Sequence, residues 1–143
     1  MGRIYLKITL SLILSVMIGC NKGTLDLQLE TERKGYAQLE EIQFKITLTN
    51  TRGSIRYNSP STHLFDITIF DRKGRRLYSL SDNTMYAQVI RPVVIQPGEN
   101  KFDYIFDGIV NNRPLDLGKY TAEIRMPISD DTLHSQTEFW IVD

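Results

Sequence analysis

The sequence predicts an all-β chain folded as an immunoglobulin-like antiparallel β-sandwich of seven to nine strands. Three observations carry this expectation. Apolar residues recur at every second position in short runs, the pattern of strands with one buried face. Turn signals separate the runs at short intervals. Outside the first twenty residues, no stretch sustains the 3.6-residue apolar period of a helix.

Thr24 to Glu30 begins the alternation, with Leu25, Leu27 and Leu29 on one face. Arg33-Lys34-Gly35 reads as a polar turn. Glu41 to Asn50 alternates again and points Ile42, Phe44, Ile46 and Leu48 inward. Ile55 to Asn58 is a short strand. Leu64 to Phe70 places Phe65, Ile67 and Ile69 on one face and Leu64 and Phe70 on the other. Asp71-Arg72-Lys73-Gly74 is a hairpin turn from which Arg75 to Leu80 returns. Ala87 to Ile95 is a strand whose Pro92 assigns it to an edge or a bulge, because proline donates nothing to a ladder. Gln96-Pro97-Gly98-Glu99 suits a type II turn, with Pro at the second position and Gly at the third. Phe102, Tyr104 and Phe106 alternate along Lys101 to Phe106, and a polar loop follows from Asp107 to Asp116. Tyr120 to Met126 and Thr137 to Val142 complete the set. Phe139 and Trp140 are neighbours in a strand, so one fills the core and the other faces out.

Leu115-Asp116-Leu117-Gly118-Lys119-Tyr120 sharpens the sandwich reading. Gly118 precedes Tyr120 by two residues at a strand start, the arrangement in which a tyrosine hydroxyl bonds upstream backbone and pins a corner of such sandwiches.

Composition narrows the function. The chain has 143 residues, 41% apolar and 24% charged, which suits one folded domain and not a disordered chain. Seventeen positive and seventeen negative side chains cancel, so no general attraction to nucleic acid exists. One cysteine excludes an intramolecular disulfide and any site needing several thiolates, and two histidines argue against a His-rich metal site.

Residues 1–19 differ from the rest. Arg3 and Lys7 precede eleven uncharged residues, Ile8 to Ile18, as in the n- and h-regions of a signal peptide. The run is short for a membrane-spanning helix, which needs about 20 apolar residues. Gly19-Cys20 at its end resembles the lipobox of a bacterial lipoprotein signal, with Met17 standing where Leu is usual. The resemblance implies removal of residues 1–19 and a diacylglyceryl group on the Cys20 sulfur, at the head of a tether of residues 20–23 and a domain of residues 24–143. More than one acyl chain is needed for stable anchoring, and a processed lipoprotein terminus carries two or three. Processing removes Arg3 and Lys7, leaving 15 positive and 17 negative side chains, a formal charge of −2 over 124 residues.

From about Glu41 to Glu123 the order of landmarks resembles the BsuPI family, the intracellular proteinase inhibitors of Bacillus type. The matching pieces are Thr49-Asn50; Phe65-Asp66-Ile67-Thr68-Ile69-Phe70-Asp71 with Lys73-Gly74; Leu77-Tyr78-Ser79-Leu80-Ser81; Tyr86-Ala87-Gln88; Ile95-Gln96-Pro97-Gly98-Glu99; and Leu117-Gly118-Lys119-Tyr120. The resemblance implies an immunoglobulin-like fold and, from the founding member, inhibition of an intracellular subtilisin-type protease. This chain departs from that founder by carrying an export signal, and fold does not carry a target with it.

Catalytic constellations are absent from the pattern. His63 and His134 lie in polar stretches with no Gly-x-Ser-x-Gly elbow, and no phosphate-cradling loop occurs. Asp82-Asn83 and Asp130-Asp131 read as turn chemistry and not as a calcium loop. Arg72-Lys73-Gly74-Arg75-Arg76 is a basic turn, readable as a contact for acidic lipid or an acidic partner and more simply as a solvated tip that discourages edge pairing. Two loops are candidate partner surfaces, Ser81 to Tyr86 with Met85 and Tyr86, and Asp107 to Asp116 with Ile109 and Val110. Together these features predict a cell-envelope lipoprotein, in the inner or outer membrane and of open oligomeric state. It binds a protein partner, with no catalytic residue, cofactor or metal. The alternative is a proteinase inhibitor acting on subtilisin-type serine proteases. Cys20→Ser is expected to release the protein from the membrane or to stall its processing, read by fractionation and intact mass; normal maturation with full membrane retention would refute lipidation at Cys20.

Overall fold

A computed structural model of the chain describes residues 23–60, 63–83 and 90–143. The segment read as a signal, residues 1–19, and Cys20, Met85 and Tyr86 lie outside the described residues.

Strand β1 (Leu25–Thr31), β3 (Ile42–Asn50) and β8 (Gly98–Phe106) form one antiparallel sheet, with β3 in the middle. The facing sheet contains β2 (Gly35–Ala37), β12 (Asp131–Val142), β11 (Gly118–Ile128), β5 (Asp66–Phe70) and β6 (Arg76–Ser79), side by side in that order. A ribbon of β4 (Ile55–Ser59) and β7 (Arg91–Ile95) starts where the β3–β8 ladder ends, with Asn50 opposite Gly98 and then Ile55 opposite Ile95. The fold is therefore the all-β sandwich that alternation predicts.

The core is the sum of the inward faces. Ile42, Phe44, Ile46 and Leu48 of β3 are all fully buried. They meet Ile67 and Ile69 of β5, Ala122, Ile124, Met126 and Ile128 of β11, and Phe139 and Ile141 of β12. Phe139 meets Phe44 edge-on across the sheets at 6.0 Å, meets Tyr36 edge-on at 6.4 Å and stacks on Tyr120 at 5.6 Å. Such ring pairs contribute roughly 0.5–1.5 kcal/mol each beyond their area.

Both open sides of the sandwich are stitched. On one, the Leu29 N–H of β1 donates to Ser135 Oγ of β12 at 3.2 Å. On the other, Tyr78 of β6 packs on Phe106 of β8 at 4.8 Å, and its hydroxyl shares a hydrogen bond with that of Tyr104 at 2.5 Å. Burial, then that bond, pushes the Tyr104 phenol well above its ordinary range.

Four details differ from the sequence reading. There are twelve strands among the described residues and not seven to nine, because β2, β9 (Ile109–Val110) and β10 (Arg113–Pro114) are only two or three residues long and too short to show alternation. One pairing is parallel, β2 with β12, so the sandwich is not wholly antiparallel. Ser81 to Asn83 begin no loop; they belong to a helical turn, α1 (Leu80–Asn83), where the Asp66 carboxylate accepts from the Ser81 N–H at 2.9 Å and its hydroxyl at 2.7 Å. The last two strands are longer than predicted and close a hairpin over Ser129-Asp130. Pro127 is tolerated in β11 because the β5 ladder has ended at Arg125, so no partner needs its missing N–H. The edge expectation for Pro92 fits, since it lies in the two-stranded ribbon opposite Asn58.

Phe139→Ala removes the ring that joins β2, β3 and β11, and is expected to cost about 3–5 kcal/mol, as for other buried aromatic truncations. Equilibrium denaturation of the variant checks this; a loss below about 1 kcal/mol would show that the core does not hinge on this ring.

Candidate functional site

The strand directions give the sandwich two chemically different ends. The chain enters at one of them. The Thr24 N–H donates to Thr51 Oγ1 at 2.7 Å, the Thr51 N–H donates to the Thr24 carbonyl at 3.0 Å, and Arg52 Nε donates to the Gly23 carbonyl at 2.9 Å. A Cβ at Gly23 would come within 2.5 Å of the Thr51 carbonyl oxygen, so this entry point is tight. The Ser129-Asp130 turn lies at the same end, where Asp131 pairs with Arg52 at 3.2 Å. The other end holds the turn after β5, the segment between β2 and β3, and the loop between β8 and β11.

That loop is not irregular, as the sequence suggested. Asp107 Oδ1 accepts from the Ile109 N–H at 2.9 Å, and the Leu115 N–H donates to the Gly108 carbonyl at 2.9 Å. Between them β9 and β10 form a small hairpin closed by Asn111 and Asn112, both left-handed, as a two-residue turn of type I′ requires. Ile109 is 38% exposed, while Val110 is half-buried against the core. The hairpin thus separates the two residues that sequence reading grouped. The loop rejoins the sheet at the tyrosine corner. The Tyr120 hydroxyl donates to the Asp116 carbonyl at 2.8 Å, and Gly118 takes a left-handed φ of 144° on the way. Burial, then the Asp116 carboxylate, raises the Tyr120 phenol.

The basic turn is equally fixed. Asp71 Oδ1 accepts from the backbone N–H groups of Lys73 and Arg75, both at 2.9 Å, and Asp71 Oδ2 accepts from Arg75 Nε at 2.7 Å. The Arg75 backbone bond foremost holds the Asp71 carboxyl below its usual range. Gly74 supplies the positive φ of 78° that the turn needs. Between this turn and the corner lies an open cleft of about 820 Å³, floored by Lys119 and Trp140 and flanked by Asp116 and Leu117. Lys119 pairs with Glu138 at 2.9 Å and sits 5.7 Å above the Trp140 ring.

Exposed apolar side chains gather at this end. Eight large ones are exposed among the described residues, and six of them, Leu39, Ile105, Ile109, Leu117, Trp140 and Val142, lie towards it. Single exposed apolar residues need no explanation, whereas here most of them fall towards one end. Leu39 is the most telling. It is 66% exposed and carries a φ of 63° in the turn from Ala37 to Glu40, a conformation normally left to Gly or Asn. Alternation could not reveal this residue, because it lies in neither a strand nor a run.

The remaining candidates are structural. Asp82 pairs with Arg76 at 2.6 Å, Asn83 Nδ2 donates to the Ser79 carbonyl at 2.8 Å, and His134 faces Glu123 at 3.6 Å. Among the described residues no three His, Cys, Asp or Glu are grouped to hold a metal, and no helix is long and apolar enough to cross a membrane.

A model of the BsuPI family, described as intracellular proteinase inhibitor, matches residues 28–129. The chain matches no curated protein in sequence. In structure it is similar to a β-glucosidase from Erythrobacter marinus, with a TM-score of 0.52, 14% identity, and coverage of 84% of this chain and 16% of the enzyme. It is similar to the C-terminal domain of wzt, with a TM-score of 0.50, 11% identity, and coverage of 85% and 74%. A CARDB domain from Pyrococcus furiosus matches with a TM-score of 0.46 at 11% identity, over 84% of this chain and 89% of that one. At these identities the likeness is one of fold.

Leu39→Gly relieves left-handed strain of roughly 1–2 kcal/mol and adds up to about 1 kcal/mol of unfolded-state entropy. Its melting temperature is expected to match or exceed that of the parent, while Leu39→Val is expected to melt lower. A Leu39→Gly chain that melts clearly lower would show that the side chain is held by packing and not offered to a partner.

Proposed function

The chain belongs to the intracellular proteinase inhibitor (BsuPI) family, and we propose that this member is a protein-binding module of the bacterial cell envelope, held to a membrane by lipid on Cys20. The observation that carries the reading is the polarity of the sandwich. The chain enters at one end, and six of eight exposed large apolar side chains sit towards the other. Two residues separate Cys20 from the pinned Gly23, a reach of about 10–11 Å even when extended. The twelve residues of β12 span roughly 40 Å. A lipid at Cys20 would therefore hold the entry end at the membrane and present Leu39, Ile109 and Leu117 away from it.

Proteinase inhibition is the second reading, favoured by the family match. An inhibitor of the loop-insertion kind needs a rigid projecting segment, and its interface buries roughly 1,600 Å² in total. The β9–β10 hairpin, braced at Asp107 and at Gly108, is such a segment. In this reading the partner is a subtilisin-type serine protease of the envelope, and Ile109 with its neighbours is the contact.

Cross-linking capture from intact cells tests the module. Serine substitution at Leu39, Ile109 and Leu117 together is expected to reduce recovery of the captured partner by roughly tenfold or more, since exposed anchors of an interface are each worth about 1 kcal/mol or more. Unchanged capture by a folded triple variant sinks the distal-end assignment. For the second reading, the purified protein is expected to inhibit a subtilisin-type protease in the nanomolar range; undiminished activity across a broad panel of serine proteases removes it.

A further inference from the structure

We propose that the cleft between the basic turn and the tyrosine corner binds a short acidic segment of the protein partner, a carboxylate-bearing peptide with a neighbouring apolar side chain. This rests on the protein-binding reading and adds the chemistry of the ligand.

The charges around the cleft are unequally committed. Arg75 is bound to Asp71 and Lys119 to Glu138. Among the described residues Arg72 and Lys73 make no ion pair, and the Asp71 bonds and Gly74 fix the turn that carries them. Two uncommitted cations on a braced tip suit two carboxylates, with little ordering cost for the backbone. They are too few for a polyanion, whose affinity grows with the number of neutralised charges. Asp116 on the opposite flank also repels a continuous run of negative charge, while leaving room for one or two carboxylates at the turn.

The floor adds an apolar requirement. Trp140 is 37% exposed and Leu117 is 49% exposed beside it. Trp140 lies opposite Lys119 on the outer face of the sheet, because Tyr120 and Phe139, their neighbours in sequence, take the inner face. An aromatic face with a cation above it and an aliphatic residue beside it accepts an apolar side chain next to an acidic one. A bare phosphate or a sugar acid would leave this surface wet. The position of the cleft, at the end remote from the chain entry, also directs it away from the headgroups of a membrane reached through Cys20.

Trp140 is the sole tryptophan of the chain, so its emission reports occupancy directly. The probe is the peptide acetyl-Ser-Leu-Glu-Asp-Leu-Ser-amide, with two carboxylates between two apolar side chains, titrated into the full-length protein in detergent. The expected result is a saturable change in emission that weakens with added salt, and that is roughly tenfold weaker or more for the peptide with Gln and Asn in place of Glu and Asp, as charge-assisted contacts require. Arg72→Glu with Lys73→Glu should abolish the response while leaving the melting temperature unchanged. No saturable change, or an equal response in the double variant, overturns the proposal. So does equal or tighter binding of polyphosphate or of phosphatidylglycerol vesicles. Cellular capture separates the two levels: capture that depends on Leu39, Ile109 and Leu117 but survives the Arg72 and Lys73 changes removes the acidic-segment cleft alone, whereas capture indifferent to both sets removes the distal-end reading itself.

Discussion

Phe139 is the ring on which the two sheets close. It reaches Phe44 across the sandwich, Tyr36 on the edge strand and Tyr120 on its hairpin partner. Tyr120 then extends the same chain of contacts outwards, because its ring is packed in the core while its hydroxyl holds the Asp116 carbonyl. The end of the loop that rejoins β11 is thereby referenced to the core. The β9–β10 hairpin is held at its base by the Asp107 and Gly108 bonds and by Val110 and Leu115 against the core, and the aromatic stack fixes the corner beside it.

The sandwich also has a direction. The entry end is polar and tightly bonded, with Gly23, Thr24, Thr51 and Arg52 closing on one another. The opposite end spends conformational energy on display. Leu39 stands exposed at a φ that disfavours it, and Ile109 rides on a hairpin whose turn needs two left-handed asparagines. Strained backbone in a small fold persists only where the surroundings over-determine it. Three of the four non-glycine residues with a positive φ, Leu39, Asn111 and Asn112, lie at this end, and the fourth, Ser129, turns the β11–β12 hairpin at the entry end.

The strands were largely legible because one buried face imposes a period of two, and no other element type produces it. Ile42 to Leu48 and the pair of Phe139 with Trp140 are the clearest instances: the inward residues are fully buried and Trp140 faces out. The tyrosine corner was legible too, since Gly118 and Tyr120 sit at a spacing with a stereochemical reason. The short strands β2, β9 and β10 were not, because two or three residues carry no period. Nor was α1, whose turn is stabilised by Asp66, some fifteen residues upstream. Of the partner residues, Ile109 stays exposed and Val110 tucks inward, a division set by the hairpin and invisible in an Ile-Val dipeptide.

By itself, the sequence determined the all-β class, the faces of the long strands and the corner, because each follows from local spacing, and its landmarks from Glu41 to Glu123 resemble those of the family whose model it matches. The tertiary structure alone decided which tips share an end. Leu39, Ile109 and Leu117 are scattered along the chain, and the basic turn, Asp116 and Trp140 lie some twenty to seventy residues apart. Only the antiparallel course of the strands, which returns the chain to the same end at every second connection, brings them to one end.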